Sequence, residues 1–173
     1  MTQETDTQEL EETQLENSMQ FLSFTLGEEE YGVDILSVQE IRSWEPVSRI
    51  PNVPSYEKGV VNLRGAIVPI IDLRERFNLE HSEYTNLTVV VVLQTILQGR
   101  SRTMGLVVDS VSDVNNIDLQ SIQSAPDFGT KVSTEFISGL ALVEERMLIL
   151  LDVKKLLKLD GVDDAAEDDN DES

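Results

Sequence analysis

An all-β protein of two related lobes is what this sequence predicts, and three observations carry that expectation. From Phe21 onward, short apolar alternations are separated by turn residues, the pattern of a sandwich or barrel. The pattern then repeats. A shift of 73 residues lays Tyr31-Gly32-Val33 on Met104-Gly105-Leu106, and Ile35, Val38, Glu40 and Ile41 on Val108, Val111, Asp113 and Val114. A shift of 80 lays Gly59 on Gly139, Asp72 on Asp152, and Ile67, Ile70 and Ile71 on Met147, Leu150 and Leu151, with Leu73 and Phe77 on Val153 and Leu157. One small β unit present twice, each copy closing its own core as a barrel, explains both blocks and leaves no exposed sheet edge.

In chain order, Phe21 to Leu26 reads as a strand that turns at Gly27 and returns through Glu30 to Asp34. Ile35 to Ile41 spaces its apolar residues at Ile35, Val38 and Ile41, which fits either a short helical turn or a bulged strand. Pro46, Pro51 and Pro54 confine the next stretch to an edge or a surface loop, because proline donates no ladder hydrogen bond. Gly59 to Leu63 and Ala66 to Asp72 read as a hairpin turning at Arg64-Gly65, followed by a helical turn over Leu73 to Phe77. Thr88 to Leu93 is apolar enough to be buried on both faces. Asp72 and Asp152 each stand just ahead of a helical turn and are expected as N-caps.

The formal charge of −20 is uneven. Residues 1–19 hold six acids and residues 160–173 hold eight, with no base in either, so the body keeps 33 − 14 = 19 acids against 13 bases. Such one-sign segments cannot bury enough apolar surface to offset chain entropy, and both are expected to be disordered tails. The body lacks a basic face, which argues against nucleic acid. A basic stretch followed by an apolar one is missing at the N-terminus, and no apolar run approaches the roughly 20 residues of a membrane span. A soluble, non-exported protein is expected.

Reactive chemistry is hard to find. Cysteine is absent, and the single histidine, His81, sits in a polar stretch without a second ligand type beside it. Phosphate-cradling, nucleophile-elbow and zinc-helix motifs do not occur, and the acids from Asp160 onward lack EF-hand spacing. The expectation is a protein that is not an enzyme, uses no cofactor and holds no metal.

The segments FLSFTLGEEEYGVDILSVQEIR, VSRIPNVP, KGVVNLRGAIVPIIDLRERF, MGLVVDSVSDV, APDFGTKVSTEFISGL and MLILLDVKKLL resemble, in order, the CheW family of chemotaxis coupling proteins. The resemblance spans almost everything between the acidic ends. It implies two five-stranded, SH3-like β-barrels packed side by side, the first about residues 20–86 and the second about 87–159, with strand exchange between them allowed. It also implies a non-catalytic adaptor in the cytoplasm that binds the regulatory domain of a CheA-type histidine kinase and the cytoplasmic tip of chemoreceptors, within membrane-associated rings.

By the same resemblance, Glu40 and Arg64 are important for coupling, and we expect them to form a charge-assisted pair. Receptor contact is expected from Val38, Glu40, Ile41, Asn62, Leu63, Arg64, Gly65, Val108 and Val111, with Val38 and Ile41 on one wall of an inter-lobe groove and Val108 and Val111 on the other. Kinase contact is expected from Glu40, Arg42, Val47, Ile50, Pro51, Tyr56 and Arg64, since apolar residues on a proline-stiffened loop lose little entropy on docking. Phe128 is expected to support ring closure, and Trp44 either joins the kinase surface or covers the first barrel. Two other readings use the same scaffold: an adaptor of a non-motility array, and a small-molecule sensor using the groove. Long acidic ends and the insertion Thr95 to Arg102 are departures from a minimal family member.

Overall fold

The computed structural model describes residues 17–80, 83–124 and 134–158; His81, Phe128 and most of the two acidic segments lie outside them. Strands β1 (Ser18–Leu26), β2 (Glu29–Asp34), β3 (Val38–Ser43), β4 (Glu57–Leu63) and β5 (Ala66–Asp72) precede a short helix α1 (Leu73–Arg76). Strands β6 (Val89–Leu97), β7 (Arg100–Val108), β8 (Ser110–Asp118), β9 (Ile137–Val143) and β10 (Arg146–Leu151) follow, then helix α2 (Val153–Lys158). The ambiguous Ile35 to Ile41 stretch holds both forms. A 3-10 turn over Ile35–Ser37, capped by Asp34 Oδ1 accepting from Leu36 N–H at 3.0 Å, runs into β3, which carries a bulge between Val38 and Glu40.

The all-β expectation is met, in a more interleaved form. One sheet has the order β8-β1-β2-β10-β9 and the other β3-β6-β7-β5-β4. The repeat maps β1 to β5 onto β6 to β10, and these two orders then become the same order. Each sheet takes two strands from one repeat and three from the other, so a line near residue 86 divides the repeat but not the sheets. The two halves are joined by parallel pairing of β2 with β10 and of β7 with β5.

Closure differs from the expected continuous barrel. In each sheet one edge strand takes only an isolated bridge from the segment that follows the other: Ser48, beyond β3, with Val60 of β4, and Gln123, beyond β8, with Leu140 of β9. Gly59 and Gly139, matched by the repeat, sit beside these bridges for a steric reason. A Cβ on Gly59 would lie 2.1 Å from the Ser48 carbonyl oxygen, and one on Gly139 would lie 2.5 Å from Ile122 Cγ2. Gly59 also has φ of +150°, which side chains rarely adopt.

The cores are also shared. A small cluster inside one sheet contains Phe21, Ile117, Ala141, Leu148 and Leu150, and another inside the second contains Val68, Ile70, Val90, Val92 and Val107. The largest cluster lies between the sheets and combines Phe24, Tyr31 and Leu151 with Ile71, Leu73, Phe77, Val91, Leu93 and Leu106. Each such large side chain stabilises the fold by about 1.5–3 kcal/mol on burial, so the halves hold each other rather than folding as separate beads.

Both expected caps are present. Asp72 Oδ1 accepts from Arg74 N–H at 3.0 Å and Glu75 N–H at 3.3 Å, while Asp152 Oδ1 accepts from Lys155 N–H at 3.1 Å. Asp72 is buried, and its other oxygen accepts from the Tyr84 hydroxyl at 2.5 Å. Burial and that hydrogen bond to Asp72 push the Tyr84 phenol up, and burial does the same to Tyr31, helped by Glu29.

Candidate protein-docking site

A two-residue hairpin turn is the starting point. Arg64 (φ 53°) and Gly65 (φ 88°) both take left-handed backbone, as a type I′ turn requires, and Leu63 pairs with Ala66 across it. Only glycine does this freely, so Arg64 stands in a conformation costing on the order of 1 kcal/mol. Asn62 Oδ1 secures the turn by accepting from Gly65 N–H at 2.8 Å.

That turn presents the Arg64 guanidinium to the far edge of the same sheet. Arg64 Nη2 donates to Glu40 Oε2 at 3.2 Å, and Arg42 Nη1 lies 3.9 Å from the other carboxylate oxygen. The Arg64 side chain is 76 % exposed and that of Glu40 is 26 % exposed, so the pair contributes at most about 1 kcal/mol to folding. The repeat sets Asp113 and Glu144 at the matching places in the other sheet, two acids where one would need a pair. The Glu40–Arg64 contact is thus a feature of one lobe, not of the duplicated scaffold.

Around this pair the structure sorts the expected residues. Ile41, Arg42, Ile50, Pro51, Asn62, Arg64 and Gly65 are exposed. Val47 and Leu63 are half-buried against the inner core of the β3 to β7 sheet. Tyr56 is half-buried with the Arg76 guanidinium 5.0 Å from its ring centre. Val38 and Val111 are half-buried against the core between the sheets.

Val108 does not fit a groove wall. It is 1 % exposed within that central core, so no surface partner reaches its side chain. The alternation of β7 places it inward, and the seam expected to form a groove there is filled by apolar side chains. Trp44 covers the β3 to β7 sheet, packed on Tyr84 with ring centres 4.5 Å apart. Among the described residues, no group of three or more His, Cys, Asp or Glu is placed to hold a metal.

Two exposed apolar residues escaped the sequence reading. Ile67, 65 % exposed, pairs with Asn62 next to the Arg64 turn. The two-residue turn fixes that register, and alternation with buried Val68 marks Ile67 as outward. Leu36, 88 % exposed, is the residue left over by the Ile35, Val38 and Ile41 spacing.

The CheW-like domain family model matches residues 20–160. The chain belongs to the CheW family. It is 52 % identical over 138 residues to the chemotaxis protein CheW of Klebsiella aerogenes, covering 80 % of this chain and 81 % of that protein. To the chemotaxis protein CheW of Bacillus subtilis it is 30 % identical over 155 residues, covering 90 % and 97 %. The crystal structure of the scaffolding protein TtCheW from Thermoanaerobacter tengcongensis superposes with a TM-score of 0.73 at 32 % identity, covering 83 % of this chain and 90 % of that one. As a CheW family member the chain carries its exposed ion pair and apolar rim on a scaffold shared with proteins named for chemotaxis and for scaffolding.

Proposed function

We propose that this protein is a non-catalytic adaptor of chemotaxis signalling that couples chemoreceptors to a CheA-type histidine kinase. The observation that carries the reading is the 52 % identity, over 80 % of the chain, to a chemotaxis protein CheW. The surface supports it: the exposed Glu40–Arg64 pair adds little to folding, and Ile41 and Ile67 on strands of the same sheet, with Ile50 and Pro51 on the loop after β3, are exposed. Charged groups at such a rim fix register and speed encounter, while the apolar residues supply burial.

In this reading Glu40, Arg42, Val47, Ile50, Pro51, Tyr56 and Arg64 face the kinase regulatory domain. Val38, Ile41, Val111 and the Asn62 to Gly65 turn serve the receptor tip, and Phe128 serves the ring. Association with receptor arrays runs, in this reading, through protein contacts made in the cytoplasm; no described helix is long and apolar enough to cross a membrane. Co-sedimentation tests this: kinase pelleting with receptor-bearing membranes only when this protein is added supports it, and equal pelleting without it contradicts it.

A further inference from the structure

We propose that Asp109 and Arg74 are positioning residues: together they form a latch at the β7–β8 crossover that holds the two sheets at one fixed angle. Among the described strands the chain changes sheet twice, between β2 and β3 and between β7 and β8. The first crossing runs through the 3-10 turn Ile35–Ser37, and the second through Asp109 alone. Asp109 Oδ2 accepts from Gly27 N–H, in the β1–β2 turn of one sheet, at 2.7 Å. The same oxygen accepts from Arg74 Nη1 at 2.7 Å, on the helix that follows β5 of the other sheet. Asp109 N–H donates to the Thr25 carbonyl at 3.1 Å, and Arg74 Nε donates to that of Glu80 at 2.8 Å. One carboxylate thereby ties three segments drawn from both sheets.

Direction is what this contact adds. The apolar cluster between the sheets opposes their separation, but burial is non-directional and tolerates small sliding of packed layers. Charge-assisted hydrogen bonds have set lengths and angles, so they fix orientation. The Arg74 and Asp109 side chains are 17 % and 32 % exposed, so salt screens them less than it screens the open Glu40–Arg64 pair.

The duplicated scaffold closes without such a latch on its other side. A shift of 73 lays Leu36 on Asp109, and a shift of 80 lays Arg74 on Lys154. Leu36 is 88 % exposed, and Lys154 meets no carboxylate at salt-bridge distance among the described residues. One crossing is therefore tied and its counterpart is not, which makes the tied one the pivot for any motion between the sheets. The consequence rests on the adaptor reading. Val38 and Val111, assigned there to the receptor tip, stand just past the two crossings on different sheets, and the latch holds them in one mutual arrangement.

Because the chain contains no cysteine, Ile67→Cys with Leu142→Cys places one nitroxide label on each sheet, both at exposed sites. Electron–electron dipolar spectroscopy then reads the distribution of distances between the sheets in the isolated protein, with a dispersed amide spectrum reporting that each variant is folded. Arg74→Met and Asp109→Asn are expected to broaden the distribution, and Arg74→Lys, which keeps the charge, to broaden it less. Val92→Ala, a cavity inside the core of one sheet, is expected to lower stability and leave the distribution narrow. In the unlabelled protein, Arg74→Met should leave kinase capture unchanged, since the residues assigned to it lie on one sheet and the loop beside it. The same variant should lower kinase activation on receptor-bearing membranes at least about fivefold. A distribution as narrow in folded Arg74→Met and Asp109→Asn as in the parent would overturn the proposal, as would equal broadening in Val92→Ala or activation that does not change. Broadening beside a parent protein that activates no kinase would uphold the latch and count against the adaptor reading alone.

Discussion

Arg64 reaches 3.2 Å from Glu40 across the two edges of one sheet, from a turn whose backbone is left-handed at both central residues. A contact this exposed adds little to folding, so it separates binding from stability. Arg64→Glu is expected to abolish capture of kinase and receptor while moving the midpoint of thermal unfolding by no more than a few degrees. Pull-down beside a melting curve checks both; joint loss of binding and fold would make the pair structural.

Gly59 and Gly139 test the closure of the two sheets. Gly59→Ala is expected to cost about 3 kcal/mol or more, since its Cβ would meet a backbone oxygen at 2.1 Å in a strained conformation. Gly139→Ala meets a side-chain methyl at 2.5 Å, which can shift, and should cost less. Urea unfolding of both gives the order.

How much of this was legible in the sequence follows from what alternation encodes. The strands, the Arg64-Gly65 turn and the Asp72 and Asp152 caps were readable because side-chain period and cap chemistry are local. Interleaving was not, since β2 shows the same pattern whether it pairs within its own repeat or with β10. Val108 was misplaced for a related reason: its repeat partner, Ile35, is half-buried at the seam, and a shift in sequence does not report which copy lies deeper. The docking roles proposed for Glu40 and Arg64 rest on family resemblance, because no periodicity marks an exposed ion pair.

Val108 and Ile41 separate core from surface. Val108→Ala should destabilise by about 1–3 kcal/mol through lost burial and a small cavity, with binding of the folded fraction unchanged. Ile41→Ala, at a residue 44 % exposed, should cost under about 1 kcal/mol and weaken partner binding. Chemical denaturation and titration of each variant against kinase distinguish them.

Tyr84 and Tyr31 predict alkaline sensitivity. Their folded phenols hold protons more tightly than in the unfolded chain, so the stability they add is full below the unfolded pKa of about 10 and is lost as pH rises beyond it. Tyr84→Phe should flatten part of that decline and cost about 1–2 kcal/mol at neutral pH, because buried Asp72 loses a donor. Unfolding free energy measured between neutral pH and pH values above about 10 supplies the comparison.

Coupling itself is read most directly from kinase autophosphorylation on receptor-bearing membranes, with this protein added or withheld and with attractant present or absent. Strong activation that requires the protein and is switched off by attractant is the predicted result. Kinase activity that is the same without it, or that it raises without any response to attractant, would contradict the adaptor account.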